Sequence, residues 1–304
     1  MLNLIKLRDL TLVAGSDPQR PAYLSAASGL VRAGRHLYVV ADDELHLGQF
    51  KVDSAAPGEL LRIFPGELPD QQTPRKKRKP DLEVLLHLPA FAHYAHGALL
   101  ALGSGSTEHR YRGALVPLGA NGEVHGVPRV VPASALYEAL AKQFDDLNLE
   151  GAWIHGNELR VLQRGNQGSS PNAVIHLDLQ LLLTSLSAGD RFPALQPLAI
   201  HTMELGHIDG VPLCFSDASA LPDGRWLFTA VAEDTDSSYE DGACVGAVIG
   251  MADEQHRLLW MKAVTPAYKV EGIDARQEVD GIHLLLVTDA DDPMVSACLL
   301  SAVV

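Results

Sequence analysis

Five stretches of the chain share one pattern, a turn glycine, an apolar run and an abrupt polar loop: "VRAGRHLYVVADD", "HYAHGALLALGSGS", "WIHGNELRVLQRGN", "LPDGRWLFTAVAED" and "EVDGIHLLLVTDAD". The glycines are Gly34, Gly97, Gly156, Gly224 and Gly281, spaced 57 to 68 residues apart. Glycine takes positive φ readily, as a tight hairpin connection requires. Runs such as "HLYVVA" and "RWLFTA" are long enough for a strand and too short for a confident helix. A short strand precedes most of the turns ("PDLEVLLHLP", "LNLEGAWIH", "PLCFSDASAL", "YKVEGIDARQ"), and a third follows each polar loop, as in "NAVIHLDL" and "VSACLLSAVV". A fourth can be drawn in the first four units: "ELLRIFPG", "EVHGVPRVV", "LQPLAIHTME" and "RLLWMKAV".

Four-stranded antiparallel units repeated radially make a β-propeller. The pattern predicts an all-β chain, one domain over 1–304, with five blades at approximately 24–65, 80–131, 147–204, 211–264 and 268–304. The last unit holds three strands, and residues 1–13, with the alternating "LNLIKLRDLTL", supply its fourth. Pairing the two ends closes the ring and leaves no hydrophobic edge open. Two stacked β domains with coincidental glycine spacing are the competing architecture. Between blades, "ASALYEALAKQF" reads as a short helix capped by Ser134, with Leu136, Leu140 and Phe144 near helical spacing. "LDLQLLLTSLSAG" reads as a buried turn or short helix, too short to cross a bilayer. "ELPDQQTPRKKRKP", with Arg75, Lys76, Lys77, Arg78 and Lys79, reads as an exposed loop.

Charge narrows the function classes. With 24 Lys and Arg against 38 Asp and Glu, the net charge of −14 repels a phosphate backbone, so nucleic acid is not an expected partner. "MLNLIKLRDLTLVAG" alternates where a secretory leader would be continuously apolar, so neither export nor a membrane is expected, and a cytoplasmic location is. Cys214, Cys244 and Cys298 lie in apolar, strand-like surroundings and are expected to be buried free thiols.

The meander itself gathers the polar chemistry. If each glycine turn joins strands one and two at one end, the entry to strand one and the exit from strand two share the other. Those positions of every blade therefore lie on one face, with the innermost strands converging on the channel. The entry positions carry Glu83, Glu150, Asp217 and Glu271, with Ser28 in the first unit. Carboxylates within apolar inner strands need partners. Backbone hydrogen bonds pinning the blades, pairing with arginine, and a channel cation all supply them, and converging oxygens suit Ca²⁺.

The exit loops add Asp42, Asp43 and Glu44; Ser104, Ser106, His109, Arg110 and Arg112; Arg164 and Asn166; "AEDTDSSYED"; and Asp289, Asp291 and Asp292. Arginine forks beside Gly-Ser loops suit phosphate oxygens, while a solvated rim of scattered ion pairs is the alternative. "GSGS" does not match a nucleophile elbow, and His93 and His96 of "HYAH" fall at the opposite end, where no metal is assigned. No glycine-rich phosphate loop is present, so no nucleotide cofactor is expected.

At "SGLVRAGRHLYVVADD", "KPDLEVLLHLP", "LLALGSGSTEHRYRGALVPL", "LNLEGAWIHGNELRVLQRGN", "KVEGIDA" and "GIHLLLVTDADDP" the chain resembles the phytase-like (esterase-like activity of phytase) β-propeller proteins and a related uncharacterised bacterial propeller family. The resemblance implies a propeller and phosphate-ester chemistry with calcium. It carries Glu83, Glu150, Glu271, Asp42, Asp43, Asp289 and Asp291 over as site-lining residues. Such enzymes are typically exported, which this N-terminus does not match. The expectations are a metal-assisted hydrolase of small phosphate esters, with Arg110, Arg112 and Arg164 on the phosphate. The alternatives are a non-catalytic propeller binding a small ligand or protein on its polar face, and a calcium-dependent lactonase-type hydrolase.

Overall fold

The computed structural model describes residues 1–14, 20–168, 170–189, 191–235 and 242–304. The alternating segments pair into five four-stranded antiparallel blades. From inside outward, blade 1 is Ala27–Ala33, His36–Ala41, His46–Lys51 and Glu59–Arg62. Blade 2 is Leu82–Leu88, Ala98–Gly103, Arg112–Pro117 and Arg129–Pro132. Blade 3 is Leu149–His155, Glu158–Gln163, Ala173–Asp178 and Ala199–Thr202. Blade 4 is Val211–Ala220, Trp226–Asp234, Ala243–Ala252 and Leu258–Thr265. Blade 5 takes Val270–Glu278, Gly281–Thr288 and Cys298–Val303 from the C-terminus and Ile5–Asp9 from the N-terminus. The inner strands contact one another in order, blade 5 returning to blade 1, so the ring is closed.

Closure involves more than the expected strand. Ile5–Asp9 pairs antiparallel with Cys298–Val303. Just before it, Leu2–Asn3 runs parallel to the outer strand of blade 4, opposite Val264 and Thr265. The N-terminus thus joins two blades. The turn glycines all have positive φ, and at Gly34 a Cβ would sit 2.1 Å from the Asn121 carbonyl oxygen. Apolar residues segregate into five clusters, one at each blade–blade interface. Stability therefore resides between blades, where each sheet buries the face that its neighbour covers.

The insertions differ from expectation in detail. The helix Ser134–Leu140 begins at Ser134, and Ala133 is its N-cap without a side-chain cap. "LDLQLLLTSLSAG" forms the helix Leu179–Gly189, whose Leu181 amide donates to Asp178 Oδ1 at 2.9 Å. The basic segment is not all exposed loop: Gln72–Lys76 is a short helix, and Lys79 beyond it is buried against carboxylates. Cys214 and Cys298 are buried free thiols, but Cys244 is exposed, because its strand starts three residues before it enters the sheet interior. Among the described residues no helix is long and apolar enough to cross a membrane.

Candidate functional site

Each inner strand carries a β-bulge near the end where the polar loops emerge. The register skips between Ala27 and Gly29, Leu82 and Val84, Leu149 and Ala152, Phe215 and Asp217, and Val270 and Ile273. A bulge leaves one residue unpaired and re-aims its side chain. The bulged residues include Ser28, Glu83, Glu150 and Glu271, and all four line one cavity at the channel mouth. In blade 4 the bulged residue is Ser216, not Asp217. A one-residue offset in a strand reverses the face that a side chain takes. Asp217 accordingly does not line the cavity: it accepts the Ile273 amide at 2.9 Å and the Ala218 amide at 2.7 Å. It ties blade 4 to blade 5, and Gly151 permits its approach, since a Cβ there would meet Asp217 Oδ1 at 2.5 Å.

Among the described residues the cavity, about 70 Å³, is lined by eight carboxylates (Asp42, Asp81, Glu83, Glu150, Glu233, Glu271, Asp289, Asp291) and five cations (Lys76, Lys79, Arg110, Arg164, Lys269). Opposite charges alternate around it. Lys79 Nζ lies against Asp42 and 3.0 Å from Asp81, and Arg110 Nη1 is 2.6 Å from Asp81. Arg164 pairs with Glu233 and reaches Glu150 at 3.5 Å. Lys269 Nζ bridges Asp291 at 2.6 Å, Glu233 at 3.1 Å and Glu271 at 3.6 Å. Asn148 donates to Glu150 Oε1 at 2.9 Å. The cluster of Asp42, Asp81 and Glu83 has carboxylate oxygens within 4.8 Å of one another, and the Lys79 ammonium sits among these residues.

Among the described lining residues three formal negative charges remain in excess, which disfavours ionisation of further carboxyls. Burial, reinforced by the charges of Glu150, Asp81 and Asp42, holds Glu83 well above the usual carboxylate range. Among the described residues Glu83 has no hydrogen-bond or ion-pair partner. Burial pushes Glu150 up to about 8 against the pull of Arg164. Burial likewise raises Glu271 and Asp289, in both cases despite Lys269. Burial alone would lower Lys79, but the carboxylates of Asp42, Asp81 and Glu83 override it and raise it strongly.

Of the residues expected from sequence, Glu83, Glu150, Glu271, Asp42, Asp289, Asp291, Arg110, Arg164 and Asn166 meet at this cavity. Arg112 does not: it donates to the His109 carbonyl at 3.1 Å, outside the mouth. Asp43 lies 3.4 Å from Arg75 outside the lining, its carboxyl raised to about 6 by burial and by Asp42 and Glu44. Ser104 is buried and donates to Asp81, with no histidine beside it. Of "AEDTDSSYED", Glu233 and Thr235 line the cavity, and residues 236–241 lie outside the described residues.

Sequence reasoning missed Asp81, Asn148 and Lys269. Asp81, Asn148 and Lys269 each stand two residues before the acidic entry position, a spacing that a strand turns to the same side. A wider groove of about 450 Å³ between blades 4 and 5 adjoins the cavity through Lys269, Asp289 and Asp291.

Solved structures are similar to the chain at low identity. A Bombyx mori GH32 β-fructofuranosidase mutant in complex with sucrose superposes with a TM-score of 0.51 at 11% identity, over 92% of this chain and 60% of that one. The α-L-arabinofuranosidase PaAbf62A from Podospora anserina in complex with cellotriose gives 0.49 at 10%, over 99% and 96%. A luciferin-regenerating enzyme gives 0.47 at 8%, over 99% and 95%. At these identities the likeness is one of fold alone. No curated protein matches the chain. One family does, its profile covering residues 23–304, all but the N-terminal staple: this protein belongs to the Family of unknown function (DUF6929).

Proposed function

We propose that the chain is a hydrolase of small polar esters, with the channel-mouth cavity as its active site and a divalent cation, calcium by the oxygen character of its donors, as cofactor. The observation that carries this reading is Glu83, a carboxyl without a partner among the described residues, whose pKa burial and the nearby charge of Glu150 raise, within a cavity whose described lining has more carboxylates than cations. Such an excess is relieved by protons or by a cation. The carboxylate oxygens of Asp42, Asp81 and Glu83, within 4.8 Å of one another, are the donors a hard cation takes, and an ion there would take the place of the Lys79 ammonium. These residues would hold it, and it would supply polarisation of an ester oxygen.

The residues' own chemistry is that of a coupled carboxylate pair. Glu83, in its protonated form, donates a proton to a leaving oxygen, and Glu150, once ionised, takes a proton from water. Arg164 and Lys269 keep Glu150 and Glu271 oriented.

Charge bears on the substrate. A phosphate ester adds negative charge to a cavity already in excess, and Lys79, Arg110, Arg164 and Lys269 are already paired with carboxylates. A lactone or other uncharged ester adds none, so the uncharged ester is the better fit. The resemblance to phytase-like propellers favours the phosphate ester as the second reading.

The test is a screen of lactones, carboxylic esters and phosphate monoesters on chelator-stripped protein, with and without calcium, beside Glu83→Gln. Calcium-dependent turnover that Glu83→Gln abolishes, with an unchanged or higher melting temperature, is expected. Turnover of phosphate monoesters alone selects the second reading. A calcium-induced rise in melting temperature without turnover of any class makes the cavity a binding site only. The absence of any shift with divalent ions overturns the cofactor.

A further inference from the structure

On the opposite face, the one carrying the glycine turns, three imidazoles converge where blades 3 and 4 meet. His176 is on the third strand of blade 3, His201 on its outer strand, and His256 in the hairpin turn between the third and fourth strands of blade 4. His201 stands opposite Val174, so it is a diagonal neighbour of His176 on the same face of the sheet.

The ring centroids form a nearly equilateral triangle, with His176–His201 4.9 Å, His176–His256 5.0 Å and His201–His256 5.0 Å. Three imidazoles on one tetrahedral ion, with metal–nitrogen bonds of about 2.0–2.1 Å, place their centroids about 5 Å apart. One ring nitrogen from each histidine lies within 4.8 Å of the others. We propose that His176, His201 and His256 form a binding site for a first-row divalent cation of the zinc type, with a fourth position open to water.

The surroundings are built as such a site requires. His176 Nδ1 is 3.1 Å from Glu158 Oε2, which fixes the ring and leaves Nε2 turned to the cluster. A carboxylate in that place orients a ligand imidazole and raises its basicity. Glu158 also accepts from Arg160 Nε at 3.0 Å, which neutralises that neighbouring cation. His176 Nε2 and His256 Nε2 face each other at 2.7 Å, close enough that binding through both requires them to separate by roughly half an ångström.

His256 has its Nδ1 buried without a hydrogen-bond partner. It is held at φ +62°, in a turn that Asp253 fixes by accepting the Gln255 amide at 3.0 Å and the Arg257 amide at 2.9 Å. His201 is exposed and opens the cluster to solvent. Nitrogen donors select zinc, nickel or copper over calcium, which separates this site from the channel mouth by chemistry as well as by place. An ion here would also tie the outer strand of blade 3 to blade 4.

Zinc titration of the chelator-stripped full chain by calorimetry is the test, beside His201→Ala, Glu158→Gln and Glu150→Gln. The expected result is one zinc per chain, affinity lowered roughly tenfold or more by each of the first two substitutions, and no change with Glu150→Gln. Trp226 lies edge-on to His256, 5.6 Å between ring centroids, so Cu²⁺ should quench its fluorescence in the wild type and much less in His201→Ala. Equal zinc affinity in the wild type and His201→Ala overturns the site. So does a cobalt-loaded wild type without the intense visible bands of four-coordinate cobalt, a readout that needs no variant to fold.

Discussion

Asp217 and Glu150 occupy adjacent blades at nearly corresponding positions, yet their surroundings separate their roles. Asp217 accepts two backbone amides from inner strands, so its carboxylate is part of the hydrogen-bond ladder. Asp217→Ala leaves both amides buried and unpaired, at about 1–3 kcal/mol each. A fall in melting temperature of roughly 4 °C or more is expected by calorimetry. Glu83→Gln, which removes no such bond, is expected to leave stability unchanged or higher. The two substitutions together therefore distinguish a structural carboxylate from a functional one.

At the level of elements, the N-terminal segment does more than complete a blade. Leu2 and Leu4 are buried in the interface between blades 4 and 5, and the Leu4 amide donates to the Thr265 carbonyl at 2.8 Å. Leu4→Ala is expected to cost about 2–5 kcal/mol in urea unfolding, the range for a buried leucine truncation. Removing residues 1–9 would unpair the outer edges of two blades at once. Exposed edges template pairing with other chains, so size-exclusion chromatography should show aggregation of the shortened protein. A wild-type elution profile would show that blade 5 holds with three strands.

For the whole molecule, the ring concentrates carboxylates at its axis, and stability should depend on pH accordingly. Glu150 has its folded value raised to about 8 from an ordinary 4.5. Between these values the native state binds more protons than the unfolded state, so stability falls as pH rises, by at most about 1.4 kcal/mol per pH unit for one proton. Below 4.5 this contribution is fully present, and above about 8 it is lost. Thermal unfolding from pH 5 to 9 should show that decline, and Glu150→Gln should flatten it. Calcium at the mouth should flatten it too, raising the melting temperature more at pH 8 than at pH 6. A decline unchanged in Glu150→Gln would place its origin elsewhere.

The glycine rhythm and the alternating strands determined the blade number and the closure by the two ends, because strand periodicity and turn chemistry are local and written residue by residue. The same periodicity placed Glu83, Glu150 and Glu271 on the polar face. It misplaced Asp217 because a β-bulge shifts the register by one residue, and the bulge is decided by how inner strands pack at the axis. Lys79 looked like part of a solvated basic run until the fold brought Asp42 and Asp81 around it. His176, His201 and His256 carry no signature in the chain, since their separations of 25 and 55 residues reflect only blade length. Their meeting is set by the packing of blade 3 against blade 4, which depends on shape across an interface and is not encoded in any one segment.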